Sequence, residues 1–235
     1  MSYPGGKGNC FREIINLMPP HSIYVETHLG GGSVFLNKRL SSTNILNDID
    51  IAVINRFRCS TANSIVSQCR IFNWDAAELL RSLTPSKSML VYCDPPYPME
   101  SRRSGRLYKY EYSRLDHVKL VDAVLKLNCL VIVSGYPNTI YGEALSNWNC
   151  HTFTTPTRGG TLATEKAWFN FPVPGHLHDY SYIGSDFRER EILKRQKKRW
   201  IKRLEKMDPQ RRHSLIHAIH DRFLFDSKFI IDNYF

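Results

Sequence analysis

Four residues, Asp94-Pro95-Pro96-Tyr97, follow directly on the apolar run Met89-Leu90-Val91-Tyr92-Cys93. They join a carboxylate, two prolines and an aromatic ring at the end of an expected strand. The prolines fix φ at about −65° and remove two backbone donors. The Asp94 carboxylate and the Pro95 carbonyl can then face one ligand as acceptors, and Tyr97 offers a face for its ring. A planar amine suits such acceptors, and the exocyclic amino group of a nucleobase is one. Taken alone, the same residues also make a plain turn, because Pro-Pro ends strands.

A second constellation lies upstream. Ile23-Tyr24-Val25-Glu26 runs into Thr27-His28-Leu29-Gly30-Gly31-Gly32-Ser33, which reads as a strand, a glycine-rich turn and a helix start. Glycines there permit positive φ and let the backbone approach a ligand closely. No third glycine follows at the offset of the dinucleotide fingerprint. Asp48 closes the next strand after Gly30, where an acidic side chain can hydrogen-bond ribose hydroxyls. Dinucleotide and S-adenosylmethionine sites share that logic. The sulfonium cofactor has no pyrophosphate, so further acidic residues around it are tolerable.

The elements that must position these groups alternate from the N-terminus as far as Phe171. Strands are expected at 23–26, 44–47, 70–72, 89–93, 130–134, 150–154 and 166–171. Helices are expected at 8–18, 33–41, 50–58, 75–82, 114–127 and 138–146. In the helix at 114–127, Leu115, Val118, Leu120, Val121, Val124 and Leu125 make a broad apolar stripe. Strands alternating with helices predict parallel crossover units and a doubly wound α/β sheet. In open sheets of this kind ligands sit beyond the carboxyl ends of the strands. Glu26, Asp48, Asp75 and Asp94 all fall at or just past such ends.

The chain of 235 residues is long enough for one sizeable core with an appendage. Its net charge of +10 suggests a polyanionic partner, most simply nucleic acid. The six cysteines are scattered without a Cys-x-x-Cys pair or zinc-ligand spacing, which reads as reduced thiols and not a disulfide scaffold. No metal is expected. The start, Met1-Ser2-Tyr3-Pro4-Gly5-Gly6, lacks an apolar signal region, and no run is long enough to span a bilayer. A cytoplasmic protein without membrane contact is expected.

Pro172-Val173-Pro174-Gly175 reads as a boundary, which gives a domain over 1–175 and an extension over 176–235. The segment 187–212 holds 12 Lys or Arg against Glu189, Glu191, Glu205 and Asp208, so +8 of the chain's +10 falls within it. Leu193, Trp200, Leu204 and Met207 fall on one helical stripe. Asp208-Pro209 reads as an N-cap followed by Pro at the first helical position. The helix after it carries Leu215, Ile216, Ile219 and Phe223 on its apolar side, so a basic helical hairpin is expected, packed on the α/β body or on a partner. The sign bias favours nucleic-acid contact over a plain solvated face.

The chain resembles the Dam-type, alpha-class DNA adenine-N6 methyltransferases, above all their short phage and prophage members. Tyr3-Pro4-Gly5-Gly6-Lys7 matches that family's N-terminal cofactor motif and Tyr24 through Phe35 its glycine-rich loop. Asn47-Asp48-Ile49-Asp50 matches the ribose-binding strand end, Trp74-Asp75 the segment contacting the cofactor's adenine, and Asp94-Pro95-Pro96-Tyr97 the catalytic motif. Tyr110 to Leu120 and Val131 to Tyr136 match the two motifs that follow. The resemblance implies a class I S-adenosylmethionine-dependent methyltransferase fold, Rossmann-like, with S-adenosyl-L-methionine as cofactor and DNA as partner. It implies catalysis by Asp94, Pro95, Pro96 and Tyr97. It implies cofactor binding by Tyr3, Lys7, Glu26, His28, Gly30, Gly32, Ser33, Asp48, Trp74 and Asp75.

Two departures stand out. The family's Pro-Phe after the Glu is Thr27-His28 here. Its target-recognition domain, between the adenine-contacting Asp and the catalytic motif, is missing, because only Ala76 to Cys93 separates Asp75 from Asp94. That gap has room for one expected helix and one expected strand. Base readout must then come from elsewhere or be weak, so a relaxed or very short sequence preference is expected. Candidate nucleic-acid contacts are Arg102, Arg103, Arg106 and Lys109, Arg158 in a second loop, and Lys197 and Lys198 in the basic helix. Such residues give affinity by phosphate contact without sequence information. Adenine methylation in RNA, cytosine-N4 methylation in DNA and a catalytically inactive nucleic-acid-binding protein remain alternatives. His213, His217 and His220 share one helical face, read as half-exposed and polar. Glu165 and Trp168 read as strand residues with a supporting role near the target pocket as the second reading, and one of Tyr108, Tyr110 and Tyr112 as a contact to an extruded base.

Overall fold

The computed structural model describes residues 6–101, 108–156 and 161–223. The chain divides into two compact units, Met1–Asp179 and Tyr180–Phe235. The described residues of the first unit hold strands β1 (Ile23–Glu26), β2 (Thr43–Asn47), β3 (Cys69–Phe72), β4 (Met89–Cys93), β5 (Leu130–Gly135), β6 (Asn149–Pro156) and β7 (Leu162–Phe169). They form one sheet in the order β3-β2-β1-β4-β5-β7-β6. β1 to β5 run parallel, and β7 lies antiparallel between β5 and β6.

Burial explains the order. All five residues of β4 are buried, and in β1 only Ile23 is partly exposed. Continuous apolar strands of this kind belong at the centre of a parallel sheet covered on both faces. The chain leaves β1 towards one edge through β2 and β3, then returns to build β4 and β5 on the other side. The crevice between the β1 and β4 tips is therefore the point where winding reverses, the favoured ligand position in such sheets.

The helices are α1 (Phe11–Ile15), α2 (Ser33–Asn37), α3 (Ile51–Ser60), α4 (Asn63–Val66), α5 (Ala76–Ser82), α6 (Arg114–Leu125) and α7 (Thr139–Ala144). α6 starts at a complete capping box, with Ser113 and Asp116 each satisfying the other's backbone donor. Leu120, Val121, Ala123 and Val124 of α6 join the core, whereas Leu115, Val118 and Leu125 stay exposed. The stripe on the sheet is thus narrower than the apolar pattern predicts.

Other differences have physical causes. The helix expected over 8–18 is a 3₁₀ turn, Lys7–Asn9, followed by the short α1. The helix expected over 33–41 stops at Asn37, and Lys38 turns inward, buried with its Nζ bonded to the Arg39 carbonyl at 2.8 Å. α4 is an element the pattern does not predict. The last two strands do not follow the parallel pattern: the link from Pro156 to Leu162 is too short for a crossover of about a dozen residues, so β6 and β7 pair as a hairpin.

The second unit carries α8 (Phe187–Glu205) and α9 (Pro209–Phe223). Asp186 caps α8 by accepting from the Glu189 amide at 2.8 Å. Asp208 caps α9 by accepting from the Gln210 and Arg211 amides, with Pro209 at the first helical position. The two helices do not pack face to face as the expected hairpin. Trp200, Ile201, Leu215, Ile216, Ile219 and Phe223 all remain exposed. No helix of the described residues is long and apolar enough to cross a membrane.

Candidate active site

A cleft opens at the switch point. Its lining includes Lys7, Glu26, His28, Gly30, Ser33, Asp48, Asp94, Pro95 and Pro96 from the sequence reading. Gly6, Leu29, Gly31, Val34, Tyr92, Tyr108 and Tyr112 complete it.

The floor is built by the turn after β1. Gly30 and Gly32 adopt φ of 51° and 67°, the left-handed region that favours glycine. The Gly30 amide donates to Asp48 Oδ2 at 2.8 Å, and the Asp50 amide donates to Asp48 Oδ1 at 2.9 Å. Both oxygens of Asp48 therefore hold backbone, and the carboxylate shapes the loop as well as lining the cleft. Burial raises its pKa, against the pull of those two bonds. Sequence reasoning misses Asn47. Its Nδ2 donates to the Thr27 and Trp74 carbonyls, both at 3.0 Å, and its Oδ1 accepts from the Trp74 amide. One side chain thus ties the tips of β1, β2 and β3.

The Asp94 side is more tightly organised. Lys7 Nζ donates to Asp94 Oδ1 and to Tyr97 Oη, each at 2.6 Å, and stands 3.3 Å from Glu165 Oε2. Ser134 Oγ donates to the same Asp94 Oδ1 at 2.9 Å. Because that hydroxyl proton is committed, Ser134 Oγ accepts from Tyr92 Oη, 2.9 Å away. Asp94 Oδ1 is thus anchored twice, while Oδ2 takes no hydrogen bond from the described residues. Burial works to lower the Lys7 pKa, but the charges of Asp94 and Glu165 outweigh it and hold the ammonium well above its usual range. Burial raises the Asp94 pKa; Lys7 opposes it and Glu165 adds to it.

Glu26, at the neighbouring strand tip, accepts from Tyr24 Oη at 2.7 Å. Burial pushes its pKa up to about 8, with the Tyr24 bond opposing and the Asp94 charge adding. Thr27 Oγ1 lies 3.3 Å from the Tyr92 carbonyl and 2.8 Å from His28 Nδ1. His28 Nε2 shares a hydrogen bond with the Tyr112 hydroxyl at 2.9 Å. Burial, with His117 adding, lowers the His28 pKa to about 3, so the imidazole is neutral.

Several expected site residues do not reach the cleft. Tyr97 is buried, its ring centroid 4.2 Å from that of Tyr136 and its hydroxyl held by Lys7, so it presents no free face. Tyr108 lines the cleft instead. Asp75 spends its carboxylate capping α5 through the Ala77 and Glu78 amides, and Trp74 packs on Phe72 with ring centroids 5.0 Å apart. Neither lines the cleft, and nor does Gly32, whose role is in the turn. Lys109 donates to Asp50 Oδ1 at 3.0 Å, and Lys197 to the Tyr180 carbonyl at 2.7 Å; Lys198 is exposed. Tyr3, Arg102, Arg103, Arg106 and Arg158 lie outside the described residues. Among the described residues no group of three or more His, Cys, Asp or Glu is placed to hold a metal ion.

This sheet order, with its strand-tip cleft between β1 and β4, is a Rossmann-like doubly wound α/β arrangement. Residues 3–88 match the family described as D12 class N6 adenine-specific DNA methyltransferase, which bears out the resemblance to the Dam-type enzymes. The match ends just ahead of β4 and Asp94. No curated protein sequence matches the chain. Similar solved structures include the precorrin-6y C5,15-methyltransferase of Geobacter metallireducens GS-15, 12% identical over 67% of this chain and 85% of that one, with a TM-score of 0.46. An rRNA methylase from Streptococcus thermophilus is 9% identical over 68% and 90%, with a TM-score of 0.44. The C-terminal domain of the Rhodobacter capsulatus precorrin-6Y C5,15-methyltransferase is 12% identical over 68% and 86%, with a TM-score of 0.43.

Proposed function

We propose that the protein moves a methyl group from S-adenosylmethionine to the N6 amine of adenine in DNA, with the chemistry in the first unit. The observation that carries this reading is the state of Asp94. One oxygen is fixed by Lys7 and Ser134, and the other is left as an acceptor at the rim of a strand-tip cleft. The family match over the cofactor half supports the same reading.

The cleft suits the methyl donor by charge. Its carboxyl groups are Glu26, Asp48 and Asp94, and its one ammonium among the described residues, Lys7, is already bound between carboxylates. That lining favours a cation over a pyrophosphate. Lys7 here serves the catalytic motif, while Glu26, His28, Gly30, Ser33 and Asp48 line the donor's side. The donor, once bound, supplies an electrophilic methyl carbon.

The target base must leave the stack, at a cost of roughly a few kcal/mol. Asp94 Oδ2 and the Pro95 carbonyl then accept the two N–H bonds of the amine, which aims the nitrogen lone pair along the line of attack. They also stabilise the positive charge that grows on nitrogen. Tyr108 takes the stacking role for which Tyr97 is too buried. With Lys109 and Lys197 tied to their own chain, the exposed cations of α8 grip phosphates without reading bases, so sequence preference is relaxed.

The test is transfer of labelled methyl to DNA, RNA and free nucleosides, followed by mapping of methylated bases in DNA from expressing cells. Asp94→Asn should still bind the donor while transfer to DNA falls by about 10²–10³-fold. Methylation of RNA alone, or of cytosine, would replace this reading. Full activity in Asp94→Asn would end it.

A further inference from the structure

Glu165 does not line the cleft, yet it is buried at 4% exposure and projects from β7 towards Lys7. Its Oε2, 3.3 Å from Lys7 Nζ, is a buried oxygen with no hydrogen-bond partner among the described residues. A buried carboxylate without a hydrogen bond is costly, and it is tolerated where an opposite charge stands close. Lys7 is that charge, and it already serves Asp94 at 2.6 Å. One ammonium is thus shared by two carboxylates, one at the reacting centre and one behind it.

We propose that Glu165 is a positioning residue for methyl transfer: by holding the far side of the Lys7 ammonium, it leaves Asp94 with surplus negative charge to offer the target amine. The inference rests on the function proposed above. If Lys7 answered to Asp94 alone, the pair would be neutral, and the cation developing on the amine would meet a dipole. With Glu165 ionised the triad carries one net negative charge, and that charge stabilises the developing cation. The groups facing Asp94 are Lys7 from the 3₁₀ turn with Cys10 just after it, Tyr92 and Cys93 from β4, Ser134 from β5, Tyr141 from α7, Glu26 at the β1 tip, Tyr97 in its own loop and Glu165 from β7. Lys7 is the only cation among them.

The variants are Glu165→Gln, which removes the charge, and Glu165→Asp, which draws it back by one methylene. Methyl transfer to DNA is followed at saturating donor across the acid limb of the kcat profile, with donor affinity measured by calorimetry. Asp94 must be ionised to accept, so kcat rises with pH through its titration. Removing the Glu165 charge eases that ionisation and moves the limb to lower pH. Glu165→Gln should lower the plateau kcat about tenfold and shift the limb down by about one pH unit, with the donor Kd within about twofold of wild type. Glu165→Asp should fall between the two, and it carries the test alone if the Gln variant does not fold. Profiles that superpose on wild type, or a Kd that rises in step with the loss of kcat, would overturn the proposal. A wild-type protein that neither binds the donor nor methylates fails the function above, independently of this comparison.

Discussion

Replacing Lys7 by Met keeps most of the side-chain volume and removes the cation from between two buried carboxylates. The side chains of Lys7, Asp94 and Glu165 are 4%, 14% and 6% exposed, so solvent does little to screen what remains. Deleting one partner of a buried pair costs about 3–5 kcal/mol, because the other charge is left uncompensated. Here two carboxylates are stranded, which places the loss at the upper end. The pH dependence has a definite sign. Burial already raises the Asp94 pKa above its unfolded value, and loss of the cation raises it further. A carboxyl with a raised folded pKa costs nothing below its unfolded pKa, where both states are protonated. Its cost appears as pH rises towards the folded pKa. The variant should therefore be most deficient near about pH 8 and recover towards about pH 5, by up to roughly 1.4 kcal/mol per pH unit for each proton taken up. Urea denaturation followed by circular dichroism at both pH values measures it. A deficit under about 1 kcal/mol at the higher pH, or an equal deficit at both, would refute the shared-ammonium arrangement.

Two further outcomes follow from geometry. Gly32→Ala places a Cβ 3.4 Å from Leu36 and 3.5 Å from the Phe57 ring, ordinary contacts, so its cost is the backbone's alone. About 1–2 kcal/mol of stability should be lost in thermal melts, while Gly31→Ala, exposed and without positive φ, stays within about 0.5 kcal/mol. Tyr112→Phe removes the hydroxyl that shares a hydrogen bond with His28 Nε2 and leaves that nitrogen without it. A loss of about 1–3 kcal/mol is expected, with weaker donor binding by calorimetry, and an unchanged melt would show that the bond is not formed.

The central strands are legible in the sequence because they are buried on both faces and read as unbroken apolar runs; β1 and β4 fall where the pattern puts them. The carboxylates at their tips follow from those boundaries. What the sequence hides is non-local. Lys7 and Asp94 meet from distant points of the first unit's sequence, and nothing in Tyr3-Pro4-Gly5-Gly6-Lys7 says that the ammonium bonds the carboxylate after β4. Asn47 looks like an ordinary strand end until three strand tips converge on it. Asp75 shows the ambiguity of a residue type: Asp75-Ala76-Ala77-Glu78 is equally a helix N-cap, and the amides of α5 take the carboxylate. Tyr97 reads as a stacking face from its place in Asp94-Pro95-Pro96-Tyr97, but Tyr136, directly after β5, covers it. In the basic segment the helices and caps follow from local signals, whereas the apolar stripes say nothing about which surface they meet.

The hairpin of β6 and β7 sets Lys166 opposite Gly135 on one side, and Glu165 opposite Phe153 on the other. Successive residues of a strand point to opposite faces, so sliding β7 by a single position towards its N-terminal end would set Lys166 in the place of Glu165. An ammonium would then arrive where a carboxylate belongs, directly against Lys7. Misalignment of the last strand in that direction is thus penalised by repulsion between two lysines, and the alignment that folds is the one that completes the triad.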